Sequence, residues 1–551
     1  MVKLRCGAAF LMSRFRLQRP CCQTSLSFST NIITYLTDVE GDAAYLNRHV
    51  QQSKVLHFVE TTPTAEFPYH ERMDFIQKNS MLVYGGDIWD RGASDLYTIR
   101  QLLDLSRRYE GRVHFILGNR DLNKMRILDE VGVSGAPLPK HDGVYWLRGT
   151  GRVGDPLLKD KQVSCTNAAE RLKWILSQTM GSPDAFELRK QELQRHQQDQ
   201  VSDENVVDSY RRSCHPNGEM GQYLQQAHLA LRLGNVLFVH GALPLTQSVL
   251  KQACHDDVSA QDFWNDFSFA MPWQEAKVKP VVSEPNEWLQ ALEQFARKHV
   301  HDWIDHVAQL EKGETPHEVW STRGGYRHST LGNHFGALMQ YGMGWTPDGN
   351  RNPTVVYSSW LNDGMPYRFL PKALPEDEKF AELTREFFKL GNLQLILSGH
   401  QPHGDMPTKI RIAEGQSILC CDTSYSGDTI WWNESEGENR TNIGRGSGSS
   451  GRGDVAVSEV LIEQDTMTGE VKRVECHGKL SDGSSYNVCH FPTQYDEVGQ
   501  LANDSLIPAE APRDRLWWVK SKFDNGSYLL SSGEGFKVWN CIVTPKNEAS
   551  K

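Results

Sequence analysis

"MLVYGGDIWDRG", residues 81–92, is the stretch on which the fold turns. Four apolar or aromatic residues run into a glycine pair, and Asp87, Asp90 and Arg91 follow at once. Short apolar runs closed by glycine read as buried strands of a sheet. Ligands of such sheets gather outside the carboxyl ends of the strands, so the residues after each run carry the chemistry.

The same punctuation occurs four more times. "ITYLTDVEGD" (33–42) ends on Asp38, Glu40 and Asp42, and "FILGNRDLNKM" (115–125) on Asn119, Arg120 and Asp121. "NVLFVHGALP" (235–244) delivers His240, and "LQLILSGHQPHGD" (393–405) delivers His400 and His403. Each alone is a weak signal. A carboxylate after a strand is often only a turn or N-cap residue, and Asp42 reads as the cap of a helix AAYLNRHVQQ. A single histidine after a strand is more often a satisfied core residue than a ligand. Together, five strand ends offer carboxylates, an amide and imidazoles to one edge.

The ordered set D-V-E, GDIWDRG, GNRD, HG and GH resembles the calcineurin-like metallophosphoesterase superfamily, whose pattern is D-x-H, G-D-x-x-D-R-G, G-N-H-[DE], H-G and G-H. Asp87 lies 49 residues after Asp38, and Asn119 lies 32 after Asp87, spacings typical of that family. The ending G-H-x-P is similar to its phosphoprotein-phosphatase and dinucleoside-tetraphosphatase side. The resemblance implies an α/β fold, with a β-sandwich core flanked by helices. It also implies two divalent metal ions, Mn, Fe or Zn by the ligand set, with Mg admissible. Asp38 and Glu40 would hold the first ion, Asp87 would bridge, and Asn119, His240 and His400 would hold the second, with His403 a further candidate ligand. Two such ions clamp a phosphoryl group and convert a bridging water to hydroxide for in-line attack. Arg91 would grip phosphate oxygens in a fork. Tyr425 and Asp428, after the next strand, would support the site.

Three departures modify that expectation. Glu40 stands where the family has histidine and adds negative charge, which favours Mn²⁺ or Mg²⁺. Arg120 stands where the family has the histidine that pairs with the Asp90 position and protonates the leaving group. Arginine does not deprotonate in proteins, so it is expected to stabilise phosphate charge or to pair with Asp90. His403 falls three residues after His400 instead of two.

The expected activity is a phosphatase acting on phosphomonoesters of a small molecule or protein. The alternatives are a nucleoside polyphosphate hydrolase, whose leaving group needs little protonation, and a non-catalytic phosphate- or metal-binding module of an assembly. The net charge of −10, from 59 basic and 69 acidic residues, argues against a nucleic-acid partner. No apolar run approaches the ~20 residues that span a bilayer, so a soluble protein is expected. The 11 cysteines contain no C-x-x-C and read as reduced thiols. Protein partners have no readable motif.

At 551 residues the chain has room for long insertions. Residues 1–30, basic and free of acids, read as a mitochondrial targeting segment, with a cytoplasmic location as the alternative. The phosphoesterase domain is expected over 31–440, with helical insertions at about 155–230 and 250–390 forming a cap over the site. In the second, Leu289, Leu292, Ala296, Val300, Trp303, Val307 and Leu310 recur at helical spacing, while His299, His301 and His306 read as solvated or interfacial. "YSSWLNDGMPYRF" (357–369) is a substrate-facing loop. Residues 441–455 are a flexible linker. The β-rich part, 456–545, is expected to supply the second sheet of the core, beginning with a hairpin in "SEVLIEQDTMTGEVKRVEC".

Overall fold

Alternation along the strands sets the layers. In a computed structural model of the chain, the described residues are 30–545 except 140–142, 145, 146, 148, 156, 159, 161, 162, 197–199, 246–284, 314–335, 345–353, 363, 371–373, 403, 424–428, 434–437, 442–454, 493–496, 508–514, 535 and 536. In the strands Thr30–Leu36 and Ser80–Tyr84, Ile33, Tyr35 and Val83 point into one apolar cluster. Leu36, Leu82 and Tyr84 point into another. Val236–Val239 and Leu395–Ser398 divide in the same way: Val236, Phe238, Leu395 and Leu397 join the first cluster, and Leu237, Val239 and Ile396 the second. Strands buried on both faces have no polar alternation to show, which is why the sequence runs are continuously apolar.

The architecture is mixed α/β. One six-stranded sheet has the order Ser485–Phe491, Val471–Lys479, Val457–Asp465, Thr30–Leu36, Ser80–Tyr84, Val113–Phe115. Its last three strands are parallel, and their carboxyl ends lie at one edge. A five-stranded sheet has the order Ala230–Leu233, Val236–Val239, Leu395–Ser398, Gln416–Cys420, Thr408–Ala413, its middle three strands parallel. The helices Ala43–Gln52 and Asp95–Arg108 cover the first sheet through Leu46, Val50, Ile99 and Leu102, and Pro375–Leu390 covers the second through Phe380 and Phe387. Asp42 caps its helix as expected, its side chain accepting from the Tyr45 N–H at 3.0 Å.

One expectation is corrected. The hairpin Val457–Asp465 and Val471–Lys479 extends the first sheet, where Val460 pairs with Tyr35, and does not build the second. The second sheet comes instead from strands within 230–420. The later strands Trp518–Lys522, Tyr528–Glu534 and Lys537–Val543 form a third sheet with Thr429–Asn433 and Glu438–Thr441. Glu459 makes the hairpin's position specific: its carboxylate accepts from Thr34 Oγ1 at 2.6 Å and from the Lys54 N–H at 2.9 Å.

Helices occupy much of both insertions: Ala168–Trp174, Ala185–His196, Asp203–Ser213 and Glu219–Gln226 in the first, and Pro285–Glu311 in the second. The long helix buries Leu292, Ala296, Val300, Trp303 and Val307, and half-buries Leu289 and Leu310. His299 and His306 are buried rather than solvated; His306 Nε2 lies 2.6 Å from Asp129 Oδ1. Among the described residues no helix is long and apolar enough to cross a membrane, and the cysteines are free thiols. The leader through residue 29, His403, Tyr425, Asp428 and the linker core 442–454 lie outside the described residues.

Candidate metal centre

Backbone conformation singles the site out before its chemistry does. Among the described residues, six that are not glycine have positive φ, and five of them are Asp38 (51°), Glu40 (52°), Asp87 (53°), Asp90 (105°) and His400 (71°). Left-handed backbone in such residues is strained and concentrates at functional sites. Glycine clears the space around them. A Cβ at Gly118 would fall on the Asp87 carboxylate, and one at Gly399 on that of Asp38.

Asp87, Asn119, His240 and His400 meet in one cluster although they leave four strands of two sheets. His240 Nε2 is 3.4 Å from Asp87 Oδ1 and 3.3 Å from Asn119 Oδ1, and His400 Nδ1 is 3.0 Å from Asn119 Oδ1. One ligand atom each from Asp87, His240 and His400 lies within 4.8 Å of the others. His240 Nδ1 sits 2.8 Å from the Gly85 carbonyl, to which it must donate, so Nε2 is the atom left for the cluster. A hydrogen bond donated by His400 to the Tyr357 backbone carbonyl steadies the imidazole, and the two rings lie 5.1 Å apart, tilted by 54°. Backbone partners outside the cluster orient imidazoles in this way at metal sites. This donor set of carboxylate, amide and two imidazoles fits a divalent ion of the Mn, Fe or Zn kind.

The electrostatics are strongly coupled. Burial disfavours an imidazolium at His240, but Asp87 and Asp38 outweigh it and lift the pKa to about 10. Burial, reinforced by the His240 charge, drops His400 to about 3. Burial raises Asp38 to about 7 against the pull of His240, whereas in Asp87 the burial penalty is overcome by His240 and Arg120 and the carboxyl stays well below its usual range. A cation bound by the Nε2 lone pair of His240 would compete with that proton.

The remaining candidates divide. Asp38 is held at the junction of the sheets, its oxygens accepting from the His400 N–H at 3.1 and 3.2 Å. Glu40 is buried, and Arg120 Nε lies 2.6 Å from its Oε1. The same Nε is 3.6 Å from Asp87 Oδ2, and Nη1 is 3.7 Å from Asp90 Oδ2. Arg91, a third exposed along its side chain, reaches Glu40 only at 3.9 Å and stands at the rim. The expected pairing of Arg120 with Asp90 is therefore secondary, because another cation has taken Asp90: Lys124 Nζ, fully buried, lies 2.7 Å from Asp90 Oδ2. The Lys124 ammonium also donates to Asn123 Oδ1 and the Arg120 carbonyl, which uses its three protons.

Sequence reasoning missed Lys124 and Ser182 here and gave Asp121 no role. Lys124 was legible in principle, since it follows Arg120 by four residues across a helical turn. Asp121 accepts from the N–H groups of Asp87, Ile88 and Gly118 at 2.8–3.0 Å, which ties two of the strand ends together. Ser182, from the first insertion, accepts from Arg120 Nη1 at 2.9 Å, and no local signal marks it. It brings that insertion to the site. The second insertion arrives through Tyr357, from the stretch expected to face substrate.

No family model matches this chain, and no curated protein matches it. Among solved structures it is similar to a cold-active protein-tyrosine phosphatase of a psychrophilic Shewanella, at 12% identity and a TM-score of 0.32, with 83% of this chain and 80% of that one covered. It is also similar to a protein serine/threonine phosphatase from Saccharomyces cerevisiae, at 10% identity and a TM-score of 0.28, covering 80% and 74%. At these scores the likenesses carry no argument about activity, which rests on the site.

Proposed function

We propose that this chain is a metal-dependent hydrolase of phosphoric monoesters, built on a calcineurin-like metallophosphoesterase framework. The observation that carries this reading is the convergence of Asp87 Oδ1, Asn119 Oδ1, His240 Nε2 and His400 Nδ1 at 3.0–3.4 Å. Four electron-pair donors at such distances, with the other nitrogen of His240 committed to Gly85, make a cation site. A divalent ion held there supplies Lewis acidity toward a phosphoryl oxygen and lowers the pKa of water.

The chain's own groups do the rest. Arg91 at the rim grips non-reacting phosphate oxygens. Tyr357, at 37% exposure, flanks the entrance beside His400 and limits which ester groups enter. Asp90 holds Lys124 rather than an imidazole, so the leaving group departs without a histidine acid. That feature favours a second reading, hydrolysis of a nucleoside polyphosphate, whose phosphate leaving group needs little protonation. Aryl phosphates, phosphoserine peptides and nucleoside polyphosphates assayed with Mn²⁺, Mg²⁺, Zn²⁺ and Fe²⁺ separate these readings. Metal uptake without hydrolysis of any of them would leave a binding module. Separately, the acid-free leader proposes mitochondrial import, and a diffuse signal from a reporter fused to residues 1–37 would contradict it.

A further inference from the structure

Residues 40 and 120, the two positions where the motifs carry Glu and Arg in place of histidine, are in contact. Arg120 Nε is 2.6 Å from Glu40 Oε1, and the same nitrogen is 3.6 Å from Asp87 Oδ2. The backbone N–H of Arg120 also donates to Asp87 Oδ1 at 2.8 Å. The Arg120 side chain is only 11% exposed, and Ser182 Oγ accepts from its Nη1. The third carboxylate on this side, Asp38, accepts from Thr37 Oγ1 and the His400 N–H. A cation thus already faces Glu40 and Asp87, and it is covalently part of the chain. His240, which contacts Asn119 in turn, approaches Asp87 through the other oxygen, Oδ1, at 3.4 Å.

We propose that the Arg120 guanidinium stands in for one of two metal ions, so that the centre takes a single divalent ion at Asp87, Asn119, His240 and His400. This inference rests on the metal-dependent hydrolase reading. Physically, a guanidinium neutralises Glu40 without any exchange with solvent, and its fixed positive charge repels a divalent ion from the space between Asp38, Glu40 and Asp87. The two departures are then one change: a histidine exchanged for glutamate on one strand end needs a cation, and the arginine on another strand end provides it. Asp87 becomes a terminal ligand whose second oxygen belongs to Arg120.

The test is metal stoichiometry, with no turnover required. The full chain is dialysed to equilibrium against saturating Mn²⁺, the bound metal is counted by mass spectrometry, and electron paramagnetic resonance distinguishes an isolated Mn²⁺ from a coupled pair. Wild type should hold one ion per chain with the spectrum of an isolated ion. Arg120→Ala should move toward two ions and a coupled spectrum, because Glu40 Oε1 and Asp87 Oδ2 are released. Arg120→His, read the same way, serves if the alanine variant fails to fold. Two ions in wild type would overturn the inference and leave the hydrolase reading intact. One ion in both wild type and a folded Arg120 variant would also overturn it, since the guanidinium would not be what excludes the second ion. No bound ion in wild type would bring down the metal-dependent reading itself.

Discussion

Lys124 Nζ lies 2.7 Å from Asp90 Oδ2, with both side chains fully buried. The pair has a measurable consequence. Lys124→Met leaves the buried Asp90 carboxylate to the Arg120 guanidinium at 3.7 Å and should cost about 3 kcal/mol of stability, whereas Lys124→Met with Asp90→Asn should recover much of that loss. Urea denaturation of the double-mutant cycle checks it. A neutral single mutant would mean that the pair contributes no specific interaction.

Departure of the leaving group without an imidazole acid should show in its kinetics. General-acid assistance is typically worth about 10²–10⁴-fold, so rates should fall steeply as the leaving-group pKa rises across a series of aryl and alkyl phosphates. A flat series would show that another acid protonates the leaving oxygen. Arg120→Ala should slow even the best leaving groups if the guanidinium stabilises charge at the phosphoryl group. Wild-type speed in that variant would restrict Arg120 to holding Glu40.

How much of this was legible depended on distance along the chain. Asp38, Asp87, Asn119, His240 and His400 were legible as candidates because each comes shortly after its own strand, and a strand end is a local signal. The partner of Glu40 was not, because Glu40 and Arg120 are 80 residues apart and the motif order says nothing of which way a guanidinium turns. Apolar runs reveal that strands are buried on both faces but not which strand lies beside which. Hence the sequence does not tell which sheet the 457–479 hairpin joins: its pairing with Thr30–Leu36 depends on contacts such as Thr34 to Glu459, separated by 425 positions.

That same contact predicts acid sensitivity. Burial opposes ionisation of Glu459, but His477, His49 and the Ser53 and Thr34 hydroxyls outweigh it and lower its pKa from 4.5 to about 2. A carboxyl whose pKa is depressed by folding stabilises fully above its unfolded value. The stability is lost as pH falls from about 4.5 toward 2. The contribution is on the order of 3 kcal/mol at about 1.4 kcal/mol per unit. Unfolding free energies of wild type and Glu459→Gln should therefore converge as the medium is acidified. A constant difference across that window would contradict the assignment.

Close approach predicts the effect of a single methyl group. Gly118→Ala would drive a Cβ into the Asp87 carboxylate and backbone. Metal content and activity should fall together, with secondary structure retained by circular dichroism. An active, metal-replete Gly118→Ala would mean that the strand ends have room to spread.

The most direct measurement is hydrolysis of p-nitrophenyl phosphate by chelator-treated protein before and after Mn²⁺ is restored, with His240→Ala and Asp87→Asn alongside. Wild type should be inactive when stripped and recover on metal addition, and both variants should stay at least about 10²-fold slower while remaining folded. Equal activity with and without metal, or a fully active Asp87→Asn, would contradict the assignment of this cluster as a hydrolytic metal centre.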